Sequence, residues 1–192
     1  MKQYEWRDLP PSAQVTYLIG LVVRSAVNLD AGSRNAYAVL AGGDRSRAET
    51  APLPFGQRIK KMHELLHATT LTTDERLMAA DALDAATAAY ERRNRFIHDD
   101  LVPGDLEQER WFMARLDHKP KEPRKPQEVV TTEDLAKCDT ALNRAAWRMW
   151  ALGKLTEEAE AGDQGFQRRR WAHLLADNFY LDADNNISWG LD

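Results

Sequence analysis

Apolar residues recur along this chain every three or four positions, in several long blocks. That is the spacing of one helix face and not of a strand. The first block follows Pro10-Pro11, where Ser12 is an N-cap candidate, and reads as a helix from Ala13 to about Leu40 closed by Gly42-Gly43. Val15, Leu18, Val22, Ala26 and Leu29 mark its stripe, and Ile19 and Val23 widen it. A helix this apolar is expected to be deeply buried or shared with a partner. Gly, Pro, Asp and Ser cluster over 42–54, which predicts a loop. A shorter helix is expected from Phe55 to about Ala68, with Phe55, Ile59, Met62 and Leu66 on one side.

Thr72-Thr73-Asp74-Glu75 has capping-box spacing and opens an alanine-rich helix that runs to about His98. At 100° per residue, Met78, Ala82, Ala85, Ala86, Ala89, Tyr90, Phe96 and Ile97 fall on one face. The chain then breaks at Pro103-Gly104. Residues 109–116 and 127–130 read as two short strands joined by the proline-rich, basic segment 118–126, a solvated hairpin tip. Thr131 or Thr132 caps a further helix, to about Leu155. Leu135, Cys138, Leu142, Ala145, Met149 and Leu152 form its seam, so Cys138 reads as a small buried hydrophobe. A last helix is expected from Gly162 through Phe179. Its Arg168-Arg169-Arg170 triplet reads as an exposed face with arginine stems laid on apolar surface, although such triplets beside aromatics also bind single-stranded nucleic acid.

The expected fold is mostly all-α: a bundle of four to five helices with a small inserted β-hairpin. Residues 1–11 are a lead-in, 12–155 the helical domain and 156–192 a C-terminal helical extension. Composition agrees with an ordinary globular chain of 192 residues, 43% apolar and 29% charged. A single cysteine excludes an internal disulfide, and neither a leader nor a run of about 18 apolar residues is evident, so the expected location is cytoplasmic. The formal charge of −4 argues against bulk electrostatic binding of nucleic acid; the arginines at 92, 93 and 95 gather positive charge locally.

One residue breaks the pattern. Arg93 lies near the middle of the buried face of the 73–98 helix, where a guanidinium is costly unless paired or hydrated. It opens the string Arg93-Asn94-Arg95-Phe96-Ile97-His98 at the end of that helix. An Arg, a polar residue, three spacers and a His at the end of a long helix in a small all-α domain resemble the HEPN motif. The resemblance covers roughly residues 12–155. It implies a dimeric, metal-independent endoribonuclease with no cofactor, acting on RNA and not on DNA or membranes. The expected products are 2′,3′-cyclic phosphate and 5′-hydroxyl ends. It also implies a toxin or antiviral-defence role, with an antitoxin or defence partner that the sequence does not identify. On this reading Arg93 steadies phosphorane charge, His98 carries the proton, Asn94 orients its neighbours, and Arg92 and Arg95 contact RNA. Arg93 and His98 stand roughly 140° apart around one helix, so they meet on one phosphate only if two copies share a cleft.

Two other readings stand beside this one. A HEPN-like dimer can bind RNA or protein without cutting. His63-Glu64-Leu65-Leu66-His67 matches the H-E-x-x-H zinc-protease pattern, but Lys60-Lys61 before it and Thr69-Thr70 after it are wrong for that setting, and no metal is expected. Asp182-Ala183-Asp184-Asn185-Asn186 begins like a calcium loop but has Ile187 at the sixth position in place of glycine, which predicts a polar turn.

Overall fold

The computed structural model describes residues 6–42, 53–98, 100–103, 110–114, 128–162, 165–181 and 187–188. The chain is mostly helical, as the spacing of apolar residues predicts. Five α-helices are described: α1 (Pro11–Leu40), α2 (Phe55–Leu65), α3 (Thr73–His98), α4 (Thr132–Glu160) and α5 (Phe166–Leu175). Strands β1 (Asp100–Pro103), β2 (Arg110–Ala114) and β3 (Glu128–Thr131) lie between α3 and α4 and form one antiparallel sheet in that order. The expected hairpin is its β2–β3 half, with Trp111 opposite Val130. The β1 strand, with Leu101 opposite Met113 and Pro103 opposite Trp111, goes beyond that expectation. A two-residue pair, β4 (Tyr180–Leu181) with β5 (Ile187–Ser188), follows α5. Residues 118–126 and 182–186 lie outside the described residues, as does most of the 42–54 loop.

The helix ends follow local chemistry. Ser12 is not the cap of α1: the helix begins one residue earlier at Pro11, with Pro10 in the cap position and no side-chain cap bond. Proline suits that first turn, since its missing N–H has no partner to lose there. Gly42 ends α1 at φ 92°, left-handed backbone that glycine adopts freely. The Thr72–Glu75 capping box forms as predicted, with the Thr72 N–H donating to Glu75 Oε2 at 2.7 Å and the Glu75 N–H to Thr72 Oγ1 at 3.3 Å. Thr131 caps α4 through a box with Asp134. α4 outlasts the expected stop at Leu155 because Thr156 and Ala159 continue its buried stripe.

α1 and α4 run side by side and parallel. Ser25 meets Asp139, Gly32 meets Ala146 and Met149, and Ala36 meets Gly153. A Cβ on Gly32 would stand 3.1 Å from the Ala146 carbonyl oxygen, so glycine sets the approach of the two backbones. α3 runs antiparallel to α4: Asp81 pairs with Arg148, and Arg92 acts on Asp134 near the start of α4. α2 lies against α1 through Arg58, which reaches Ser33, and against α3 through a near-parallel stack of Phe55 on Tyr90, centroids 4.1 Å apart. All five helices feed one core, in which Leu18, Leu83, Leu142, Met149 and Leu174 are fully enclosed. Each such side chain contributes roughly 1.5–3 kcal/mol.

Three arginines bind the bundle from inside. Arg58 of α2 is 2% exposed and reaches Ser33 Oγ, the Leu53 carbonyl and the Asp30 carboxylate. Arg148 of α4 donates to the Leu175 carbonyl at the end of α5 and to Asp81 of α3. Arg168 of α5 is 5% exposed and forms a two-pronged pair with Glu75 of α3, at 2.9 and 2.7 Å. The first member of the basic triplet is thus an interior strut, not an exposed snorkelling arginine. Arg169 and Arg170 remain on the surface. Among the described residues, no helix is long and apolar enough to cross a membrane.

Candidate functional site

The last two turns of α3 carry the residues singled out by sequence. Arg93 continues the buried line of Ala82, Ala86 and Ala89, and is itself half-buried. Its guanidinium lies over the Tyr90 ring, 5.5 Å from the centroid, and Nη1–H donates to Asn94 Oδ1 at 2.9 Å. Tyr90 is held by its stack on Phe55, and the Arg58 guanidinium lies 5.8 Å from the Phe55 centroid. The orientation of Arg93 is therefore set from α2, through two aromatic rings. Its Nε is buried and has no hydrogen-bond partner among the described residues. No carboxylate pairs with it there either, in contrast to Arg58, Arg148 and Arg168.

Arg92 is half-buried with its guanidinium 4.6 Å from the centre of the Phe96 ring, and Arg95 is exposed. Both arginines of the 92–93 pair act on α4. Their charges reach Cys138, but burial is the stronger influence and pushes the thiol up to about 11. Burial also pushes Asp134 upward, but the Thr131 N–H and hydroxyl together with the Arg92 charge outweigh it. Its carboxyl is held below the ordinary range. Cys138 is thus a buried core residue with its thiol protonated near neutral pH, as its place in the seam predicts.

His98 is the final residue of α3 and is exposed. It follows Arg93 by five residues, about 7.5 Å along the axis and roughly 140° around it. The structure thus joins Arg93 to Asn94 and leaves His98 on a different side of the helix end. Asp99 lies outside the described residues.

The H-E-x-x-H string does not form a zinc cradle. α2 stops at Leu65, and His67 lies in the following 3-10 turn, Leu66–Ala68, exposed. Glu64 is engaged by Lys61 at 2.8 Å, and His63 Nε2 stands 3.2 Å from Asp84 of α3. No group of three His, Cys, Asp or Glu suited to a metal occurs among the described residues.

A second feature is not legible in the sequence. Between α1 and α4 lies a cavity of about 430 Å³, lined by Arg24, Asn28, Ala31, Asn143, Ala146, Trp147 and Trp150. Behind Asn143, the buried Asp139 accepts hydrogen bonds from Ser25 Oγ–H and from Asn143 Nδ2–H. The only signal for it is Asn143, Trp147 and Trp150 stepping by four and three beside the apolar seam. Tryptophan at helical spacing reads as core, and nothing in the chain says which face of α4 receives α1. No protein-family model, curated protein or solved structure was found to match this chain.

Proposed function

We propose that the protein is a metal-independent endoribonuclease of the HEPN type, acting as a homodimer. The observation that carries this reading is the state of Arg93. Its guanidinium is half-buried and oriented by Tyr90 and Asn94, yet has no carboxylate partner among the described residues and a buried Nε–H without an acceptor. Desolvation without an ion pair is costly in the free protein, and a phosphate oxygen would remove that cost.

In the reaction the RNA 2′-oxygen bonds to the adjacent phosphorus as the bond from phosphorus to the 5′-oxygen breaks. One proton leaves the 2′-hydroxyl and one reaches the departing 5′-oxygen, so no water is consumed and a cyclic phosphate remains. His98, exposed at the helix end, suits proton transfer, which contributes roughly 10²- to 10⁴-fold. Arg93 suits the charge on the phosphorane, Asn94 fixes Arg93, and Arg92 and Arg95 supply further positive charge for RNA phosphates. Because Arg93 and His98 diverge around one helix, the working cleft needs both copies, with the ends of the two α3 helices at a two-fold axis. α1 supplies apolar surface for such pairing: Tyr17, Val23 and Val27 are 46%, 39% and 63% exposed and lie within about 120° of arc.

The test is incubation of purified protein with mixed RNAs in EDTA, followed by identification of the new ends. Cleavage leaving cyclic phosphate is expected, and His98→Ala and Arg93→Ala should each abolish it while circular dichroism stays unchanged. Cleavage undiminished in both variants removes the motif from the mechanism. An intact RNA pool with bound protein makes the chain a non-catalytic RNA-binding dimer.

A further inference from the structure

The cavity between α1 and α4 lies apart from the motif and combines three kinds of group. Trp147 and Trp150 present indole surface, and Trp150 is 38% exposed at the opening. Asn28 and Asn143 present amides, and Arg24 a cation at the exposed side of α1. The amides differ in freedom. Asn143 is 5% exposed, and its Nδ2 is tied at 3.3 Å to Asp139, itself 7% exposed and held by Ser25. Its orientation is therefore set before any ligand arrives. Asn28 and the two indole N–H groups make no hydrogen bond within the described residues. A volume of about 430 Å³ falls within the roughly 300–1,000 Å³ of small-molecule sites.

Each group constrains the ligand. Indole faces favour a flat, polarisable ring. A fixed side-chain amide favours a ring whose edge offers an acceptor beside a donor, as adenine does with N7 and its 6-amino group. A lone arginine at the rim favours a single anionic phosphate. From this combination we infer that the α1–α4 cavity is a binding site for an adenine nucleotide unit, its base stacked on Trp150 or Trp147, its edge read by Asn28 and Asn143, and its phosphate met by Arg24. The same unit is offered by free AMP and by an unpaired adenosine of an RNA strand.

Titration of the full chain with AMP, UMP, inorganic phosphate and a short oligoadenylate, followed by tryptophan fluorescence and calorimetry, tests the assignment. AMP is expected to quench saturably, UMP to bind more weakly, and phosphate alone to leave the signal unchanged. Removing one stacking face in Trp150→Ala should weaken AMP binding about tenfold. Asn28→Ala should narrow the difference between AMP and UMP. Should Trp150→Ala lose its fold by circular dichroism, Trp150→Phe and Asn28→Ala decide the question. Oligoadenylate that binds with this dependence while AMP does not makes the ligand an adenosine within RNA. The assignment fails if neither adenine ligand binds at millimolar concentration, or if binding is unchanged in both Trp150→Ala and Asn28→Ala. The titration requires no RNA cleavage, so this site and the ribonuclease reading stand or fall separately.

Discussion

Glu75 holds two structures together, and its removal should be among the most damaging single changes in the protein. Its carboxylate accepts from Arg168 Nε–H and Nη2–H at 2.9 and 2.7 Å and from the Thr72 N–H at 2.7 Å. Both partners of the ion pair are enclosed, with side chains 6% and 11% exposed. Stripping one partner from a buried pair costs about 3–5 kcal/mol. Losing the reciprocal cap adds about 1 kcal/mol. Glu75→Ala should therefore cost about 4–6 kcal/mol, a large part of a typical total of about 5–15 kcal/mol. Arg168→Met should cost less, about 2 kcal/mol, since the carboxylate keeps the Thr72 N–H at the positive end of α3. Urea unfolding of wild type, both single variants and the double variant should give a coupling of at least about 2 kcal/mol.

The acid dependence of that pair has a definite sign. The Arg168 hydrogen bonds, aided by the Thr72 N–H, hold the Glu75 carboxyl below its ordinary range against the opposing effect of burial. Its contribution is full above the unfolded value of about 4.3 and is lost as pH falls through the lower native value. The gap between wild type and Glu75→Gln should thus be constant near neutrality and close in acid. A gap below about 0.5 kcal/mol at pH 7, or additive single variants, would refute the bridging role.

Other expectations follow from the same packing. A Cβ added at Gly20 would meet nothing within 4 Å, so Gly20→Ala should stabilise by about 0.5–1 kcal/mol, whereas Gly32→Ala must push on the Ala146 carbonyl and Trp150 and should lower the melting temperature. Cys138, with its thiol near 11, should exist as thiolate to only about one part in a thousand at pH 8; disulfide reagents should label the native protein far more slowly than the urea-unfolded chain. Light scattering should give about twice the 21.8 kDa chain mass at micromolar concentration, and a monomer under those conditions would remove the shared-cleft mechanism.

The helices are legible because their pattern repeats. Leu135, Cys138, Leu142, Ala145, Met149 and Leu152 are all buried, as their three- and four-residue steps predict, and so are Phe55, Ile59, Met62 and Leu66. Phasing on α3 is less accurate: Ala79 and Leu83 are fully buried, while Met78 and Tyr90 sit at the edge of the core. Alanine-rich helices leave the face angle poorly determined, since alanine fits either side of the boundary. The partner of each face cannot be read at all. Arg58, Arg148 and Arg168 look like surface residues in the sequence. Their burial depends on Asp30, Asp81 and Glu75, which stand 28, 67 and 93 positions away.

These arginines also sharpen the meaning of Arg93. Placing a guanidinium on an apolar face is not by itself a functional signal, because this fold buries three others in ion pairs with neighbouring helices. What separates them is their company. Each strut meets a carboxylate, and two of them also meet a backbone carbonyl, so each charge is neutralised within the chain. Arg93 meets one amide oxygen and the face of one ring, and keeps a buried N–H unmet among the described residues. A fold able to pair Arg58 in a neighbouring helix could have supplied an acid here as well. An acid would stabilise the bundle and would also neutralise the cation needed by an incoming phosphate. If that trade explains Arg93, then Arg93→Met should raise the unfolding midpoint in urea while abolishing RNA cleavage. A variant destabilised like Arg168→Met would instead place Arg93 among the struts.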